Sequence, residues 1–220
     1  MENIIEQFYP YSSWDELIKN KIQHFNKNWK IFCDVGACQG EFTTFFKEQV
    51  YESILEGAIA PNCGKVYSFE PNRNNYNYLL EFQDENCIIE NIAVSDSIAK
   101  VNFYSEEDII GEHMGSMLKR FDIEYPFKYE VKTTTLDDYF KNIDVDCIKI
   151  DVEGVENLVI RGGINTIKKS NFCIIECHWD EDWVEIFTLL TSNGMIFKDI
   201  TNDQDITIEK RPYQIYKIIK

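Results

Sequence analysis

The chain has 220 residues, enough for one well-cored α/β domain, and its 44% hydrophobic and 14% aromatic content is that of a packed globular protein. Its 22 basic against 38 acidic residues leave a formal net charge of −16, a field that repels phosphate backbones and argues against nucleic acid as a partner. No apolar run reaches the roughly 18–20 residues of a membrane span, and the opening MENIIEQFYPYSS lacks the basic and apolar regions of a signal peptide, so a cytoplasmic protein is expected.

Ser13-Trp14-Asp15-Glu16 has the spacing of a capping box, and Trp14, Ile18, Ile22 and Phe25 follow at helical intervals. Residues 1–28 therefore read as an N-terminal helical segment packed on a core domain of residues 29–220; alternatively Tyr9, Tyr11 and Trp14 wall a substrate pocket. Ile31 to Val35 is a short apolar run typical of a buried strand, and Gly36 and Gly40 form a turn from which a helix opens at Glu41. A dinucleotide site would use G-x-G-x-x-G, whereas the pattern here is D-x-G-x-x-x-G with Asp34 at the strand end. A carboxylate there opposes a pyrophosphate and suits a cationic, phosphate-free nucleoside such as S-adenosylmethionine. The plainer alternative is a buried turn carboxylate that caps the helix.

Phe42, Phe46 and Val50 mark the first crossover helix, ending by Pro61 to Gly64. Lys65 to Phe69 is a second strand that delivers Glu70 at its end, where a carboxylate accepts two ribose hydroxyls in a fork. Glu70 lies about 30 residues past the glycine turn, against roughly 20 in the usual fingerprint, which implies a longer intervening helix. Asn74 to Phe82 reads as a second crossover helix, and Cys87 to Ala93 as a third strand whose end would lie over an adenine at Ile92 and Ala93. Ser95 to Phe103 reads as a turn and return strand, and Glu106 to Met117, with two glycines and no clean period, as a mobile loop that could close over the cofactor.

Tyr129 to Thr134 is an added strand, with Thr135 an N-cap for a short helix. Cys147 to Ile150 is a buried strand running into Asp151, Glu153 and Gly154, and Glu153 and Glu156 open the next helix. Phe172 to His178 is the fifth strand, Trp183 to Leu190 a helix closed by Asn193-Gly194, and Met195 to Ile200 with Gln214 to Ile219 a terminal hairpin-like pair. The seven cysteines include no CxxC pair, and Cys33, Cys87, Cys147 and Cys173 sit in apolar runs as reduced thiols.

Taken in order, DVGACQG, FEPNRNN, NIAVSD, TTTLDDY, IKIDVEGVE and IIECH resemble the FkbM-type S-adenosylmethionine-dependent methyltransferases over roughly Ile31 to His178. The resemblance implies a Rossmann-like class I α/β fold, a mostly parallel seven-stranded sheet in the order 3-2-1-4-5-7-6 with the last strand antiparallel and helices on both faces. It implies O-methylation of a hydroxyl on a sugar, glycan or secondary metabolite. It places Asp34, Gly36, Ala37 and Gly40 at the methionine end of S-adenosyl-L-methionine, Glu70 on the ribose, Ile92 and Ala93 at the adenine, and Ser116 near the cofactor. Cys38-Gln39 depart from the family's Asn and apolar residue in the turn.

Such a reaction needs an aligned acceptor and a base, and Asp151 and His178 lie at adjacent strand ends; His178 is the preferred base, with Asp151 orienting substrate. No metal is assigned, although Glu153, Glu176 and Asp180 could join Asp151 around Mg²⁺. Two other enzyme readings compete: a nucleic-acid 2′-O-methyltransferase, to which Lys149 with Asp151 and Glu153 would contribute a partial Lys/Asp/Glu set, and an NAD-dependent oxidoreductase, opposed by the glycine spacing. A methyltransferase-like binding protein without catalysis is the remaining alternative. The acceptor and the oligomeric state are not legible.

Overall fold

A computed structural model of the protein describes residues 11–25, 28–60, 63–112, 115–119 and 124–218. Its first half runs α1 (Tyr11–Phe25), β1 (Ile31–Val35), α2 (Glu41–Leu55), β2 (Lys65–Phe69), α3 (Arg73–Leu79), a 3₁₀ turn over Leu80–Phe82, β3 (Cys87–Glu90), β4 (Ala93–Val94) and β5 (Lys100–Ser105). The second half adds β6 (Phe127–Thr134), α4 (Leu136–Tyr139), β7 (Cys147–Ile150), α5 (Glu156–Gly162), α6 (Ile164–Lys169), β8 (Phe172–Glu176), α7 (Asp180–Ser192), β9 (Lys198–Asp199) and β10 (Gln214–Ile218).

The main sheet is mixed, with seven strands in the order β3-β2-β1-β7-β8-β10-β9. The β3, β2, β1, β7 and β8 strands run parallel, while β10 is antiparallel to both β8 and β9. Successive side chains on a strand point to opposite faces, so a central strand covered on both sides must be apolar throughout. Phe32, Cys147 and Ile174 enter one core with Phe46, Val66 and Phe172, while Cys33, Ile148 and Ile175 enter the other with Phe69, Val159 and Trp183. Ile18 and Ile22 bury the inner face of α1 in the first of these cores, where Phe25 lies 6.0 Å from the Phe172 ring.

Several expectations need correction. The α1 helix already begins at Tyr11, so Ser13 lies inside it and the capping-box start does not hold; the Tyr9, Tyr11 and Trp14 wall falls on side chains outside the described ones. The extra spacing before Glu70 does not come from a long helix: α2 stops at Leu55, and the following connection carries the additional residues to Lys65. The third strand ends at Glu90 rather than Ala93. There the side-chain amide of Asn91 donates to the carbonyls of Glu70 and Pro71, at 2.9 and 3.2 Å, and the chain leaves the main sheet.

The chain then forms a separate three-stranded sheet, β4-β6-β5, in which β4 pairs parallel with β6 and β5 antiparallel. The return strand and the added strand of the sequence belong to this second sheet. Thr135 does cap α4, its hydroxyl accepting from the Asp138 N–H at 3.0 Å. The α5 helix starts at Glu156 alone, because Glu153 (φ 53) and Gly154 (φ 92) form a left-handed step before it.

The second sheet is seated against α5 at Gly162. A Cβ on this helical glycine would stand 2.0 Å from the Ser95 carbonyl oxygen, just beyond β4. Gly162→Ala is therefore expected to cost about 1–3 kcal/mol through overpacking, read as a lower urea midpoint; an unchanged midpoint would contradict this close approach.

Candidate active site

The site is built where β1, β2 and β7 end. Gly36 follows β1 at φ 78, and a Cβ there would lie 1.7 Å from the Asp151 carbonyl oxygen, so only glycine lets the turn pass against the end of β7. The Gly36 and Ala37 N–H groups donate to the Phe69 carbonyl at 3.0 and 3.2 Å, tying the turn to the end of β2. Gly40, at φ 84, starts α2.

Glu70 closes this arrangement. Its Oε2 accepts from the Cys38 N–H at 2.8 Å and its Oε1 from the Asn72 N–H at 2.7 Å. Each oxygen keeps a further lone-pair direction, so the carboxylate is presented as a fixed fork with both prongs available. Burial pushes Glu70 up to about 8, against the pull of the two amides and of Lys149.

Asp34 is placed differently from its sequence reading. It is fully buried, its Oδ2 accepts from Thr43 Oγ1 at 2.8 Å, and its Oδ1 lies 3.3 Å from Lys149 Nζ. It is not among the residues that line the cleft, and the Lys149 ammonium stands beside its charge. Lys149 also donates to the Gly36 carbonyl at 2.6 Å and sits 3.4 Å from Asp151 Oδ2. Burial disfavours its charge, but Asp34 and Asp151 outweigh that and hold the ammonium above the ordinary lysine range. Lys149 therefore supports the turn from behind, and of the partial Lys/Asp/Glu set only Asp151 and Glu153 line the cleft.

A cleft partly open to solvent lies over these strand ends. Of the predicted site residues, Gly36, Glu70, Ala93, Ser116 and Asp151 line it, whereas Asp34, Ala37, Gly40, Ile92 and His178 do not. Asn72 and Glu112 line it without having been singled out as ligand contacts, and Cys38, a small residue of the turn, lines it too. The Glu106 to Met117 loop is fastened across one side: the Gly111 N–H donates to Asn75 Oδ1 at 2.7 Å, Asn75 Nδ2 donates to the Glu112 carbonyl at 2.9 Å, and Ser116 exchanges two 2.9 Å backbone bonds with Tyr104.

His178 reaches the site through carboxylates. Its Nδ1 is 2.6 Å from Glu156 Oε1, and its Nε2 is 3.3 Å from Glu176, 3.5 Å from Glu153 and 3.6 Å from Asp151. Burial alone would lower its pKa, but the bonds to Glu153, Glu156 and Glu176 outweigh it and raise the imidazole well above the histidine range. Nδ1 is thus committed to Glu156, and the carboxylates around Nε2 favour the charged ring, which does not fit the preferred role of a neutral base. Burial pushes Asp151 up to about 7, opposed by Lys149 and reinforced by Glu176. Asp180 lies apart, paired with Arg211 at 2.5 Å.

The lining fits S-adenosylmethionine on three counts. The glycine turn admits a close backbone approach, the Glu70 fork matches a ribose diol, and Glu70, Glu112, Asp151 and Glu153 give the cleft four carboxylates with no lysine or arginine among its described lining residues. Such a wall suits a sulfonium and opposes a pyrophosphate.

Residues 34–197 match the family described as the methyltransferase FkbM domain. The chain belongs to the FkbM methyltransferase family. It is an S-adenosylmethionine-dependent methyltransferase with a Rossmann-like fold. Among relatives of this FkbM protein, the hexuronic acid methyltransferase AglP of Haloferax volcanii is 29% identical over 213 residues, covering 86% of this chain and 83% of AglP. A solved Clostridium thermocellum structure assigned as an rRNA methylase shares the fold at a TM-score of 0.52, with 10% identity over 96% of this chain and 98% of that one. Among the described residues, no helix of the FkbM chain is long and apolar enough to cross a membrane.

Glu70 has a consequence for stability. Its folded pKa near 8 lies above the ordinary value of 4.5, so between these limits the native state binds more protons than the unfolded chain. Stability from this group is full below about pH 4.5 and falls as pH rises toward 8. Urea unfolding of the ligand-free protein across this range should show that decline, and Glu70→Gln should flatten it; identical profiles for the two proteins would contradict the burial argument.

Proposed function

We propose that this FkbM protein transfers the methyl group of S-adenosylmethionine to a hydroxyl oxygen of a sugar or glycan. The carrying observation is the pairing, in one cleft, of the fixed Glu70 fork with the Asp151 carboxylate at the end of β7. Glu70 holds the ribose, Gly36 gives the methionine portion passage along the backbone, and Ala93 packs at the adenine end with Ser116 closing over it. Asp34, Ala37 and Gly40 act at one remove, by shaping the turn, and Ile92 by placing Ala93.

The sulfonium of the cofactor supplies an already activated methyl group. What the protein must add is alignment of the acceptor oxygen and a place for its proton. Asp151, about a third exposed and facing the cleft, takes the proton, while His178 positions the Asp151 and Glu153 carboxylates from behind. A sugar acceptor is supported by the relative AglP, whose name specifies a hexuronic acid. A nucleic-acid acceptor is disfavoured by the −16 net charge and the four-carboxylate cleft.

Two measurements test the reading. Titration calorimetry should give saturable binding of S-adenosylhomocysteine that Glu70→Ala weakens by about tenfold or more, the loss of two hydrogen bonds to the carboxyl fork. A mass-spectrometric screen of uronic acids, hexoses and glycans should find an acceptor gaining one methyl, with Asp151→Asn lowering kcat by about 10²–10⁴-fold while leaving S-adenosylhomocysteine affinity within a few-fold. Equal turnover in Asp151→Asn would remove Asp151 from the reaction, and methylation confined to RNA would overturn the acceptor class.

A further inference from the structure

We infer that Asp151, Glu153 and His178 form a divalent-cation site at the acceptor end of the cleft, with Mn²⁺-type oxygen and imidazole ligation. The inference builds on the O-methyl transfer proposed above and names what would hold the acceptor hydroxyl.

The argument starts from spacing. A charged N–H donating to a carboxylate normally closes to about 2.7–2.9 Å, yet His178 Nε2 stands 3.5 Å from Glu153 Oε1 and 3.6 Å from Asp151 Oδ1. Atoms held about 2.0–2.4 Å from one ion, at angles of roughly 90–110°, lie about 2.8–3.9 Å from each other. The nitrogen therefore stands beyond ordinary hydrogen-bond length from each oxygen, at the separation of two ligands on one ion. One ligand atom from each of the three residues lies within 4.8 Å of the others.

A second observation concerns the histidine. Its side chain is nine-tenths buried, and its Nε2, aimed between these carboxylates, makes no hydrogen bond of normal length. Its Nδ1 is held at 2.6 Å by Glu156, itself 1% exposed and anchored by the Gly154 N–H at 3.0 Å. An imidazole whose far nitrogen is fixed by a buried carboxylate is the arrangement that orients a metal-ligating histidine. Glu156 Oε2 is buried without a hydrogen-bond partner among the described residues. Glu176 is an outer neighbour, since its oxygens accept from Tyr213 Oη and from Gln214 Nε2.

Asp151 and Glu153 line the cleft, so an ion between them and His178 would present open positions to the acceptor. Bound there, it would take the acceptor hydroxyl as a ligand and lower its pKa as a Lewis acid. Asp151 would give Oδ1 to the ion and keep Oδ2 for the proton. The oxygen–carbon bond forms as the sulfur–carbon bond breaks, leaving the methyl ether, S-adenosylhomocysteine and one proton, with no change of oxidation state. A uronic acid could also reach this acidic mouth through the same ion.

The test uses the full chain, stripped with chelator, and Mn²⁺ alone. Equilibrium dialysis should show one Mn²⁺ per chain, weakened about tenfold or more in Glu153→Gln and unchanged in Asp180→Asn. Pulsed electron paramagnetic resonance should show nitrogen coupling from one imidazole to the bound Mn²⁺, lost in His178→Gln. Absence of stoichiometric Mn²⁺ in the wild-type chain, or binding without nitrogen coupling, overturns the site. Neither readout needs cofactor or acceptor, so a bound, nitrogen-coupled Mn²⁺ in a protein that methylates no sugar would sink the proposed function and leave the metal site standing.

Discussion

The buried ammonium of Lys149 is the interaction on which the cleft depends. Moving a charge out of water is costly unless its partners are fixed, and here they are the side chain of Asp34, the carbonyl of Gly36 and the side chain of Asp151. These belong to the end of β1, the turn that follows it and the end of β7. One cation thus holds together the three pieces of backbone that border the cofactor's path. The sheet register places it there, since Asp34 and Lys149 are Cα partners in the β1–β7 ladder.

The electrostatics of the cleft follow from that arrangement. Because Lys149 is spent behind the turn, no basic group is left to balance the described acidic lining, and the cavity presents Glu70, Glu112, Asp151 and Glu153 to whatever enters. On the Glu70 side, backbone amides hold the carboxylate in one orientation. On the Asp151 side, His178 and Glu156 do the equivalent work from the exit of β8 and the start of α5. The loop from Glu106 is fastened to this frame through Asn75, a residue of α3 whose side chain also touches Cys38 Sγ at 3.7 Å.

Much of this was legible in the sequence, for physical reasons that differ by element. Strands covered on both faces must be unbroken apolar runs, so β1, β2, β7 and β8 announce themselves, and their acidic exits locate Glu70 and Asp151. Spacing along the chain carries no information about what stands opposite. The sequence alone does not show that Asp34 is buried beside a cation, because Lys149 lies 115 residues away, on a neighbouring strand. The second sheet is not legible in the sequence because the Cys87 to Ala93 run has no break in hydropathy large enough to show that Asn91 turns it out of the main sheet. The adjacent strand ends place His178 beside Asp151, but the ring of Glu153, Glu156 and Glu176 around the imidazole arises only when β8 and α5 meet.

The most direct measurement is a double-mutant cycle of urea stabilities for Lys149→Met, Asp34→Asn and the pair. Lys149→Met alone leaves the Asp34 charge buried against Thr43 and should cost about 3–5 kcal/mol, with Asp34→Asn restoring a large part of it, a coupling of about 2 kcal/mol or more. Effects that add to within about 0.5 kcal/mol would show that the two groups do not support each other, and the cleft would need another foundation.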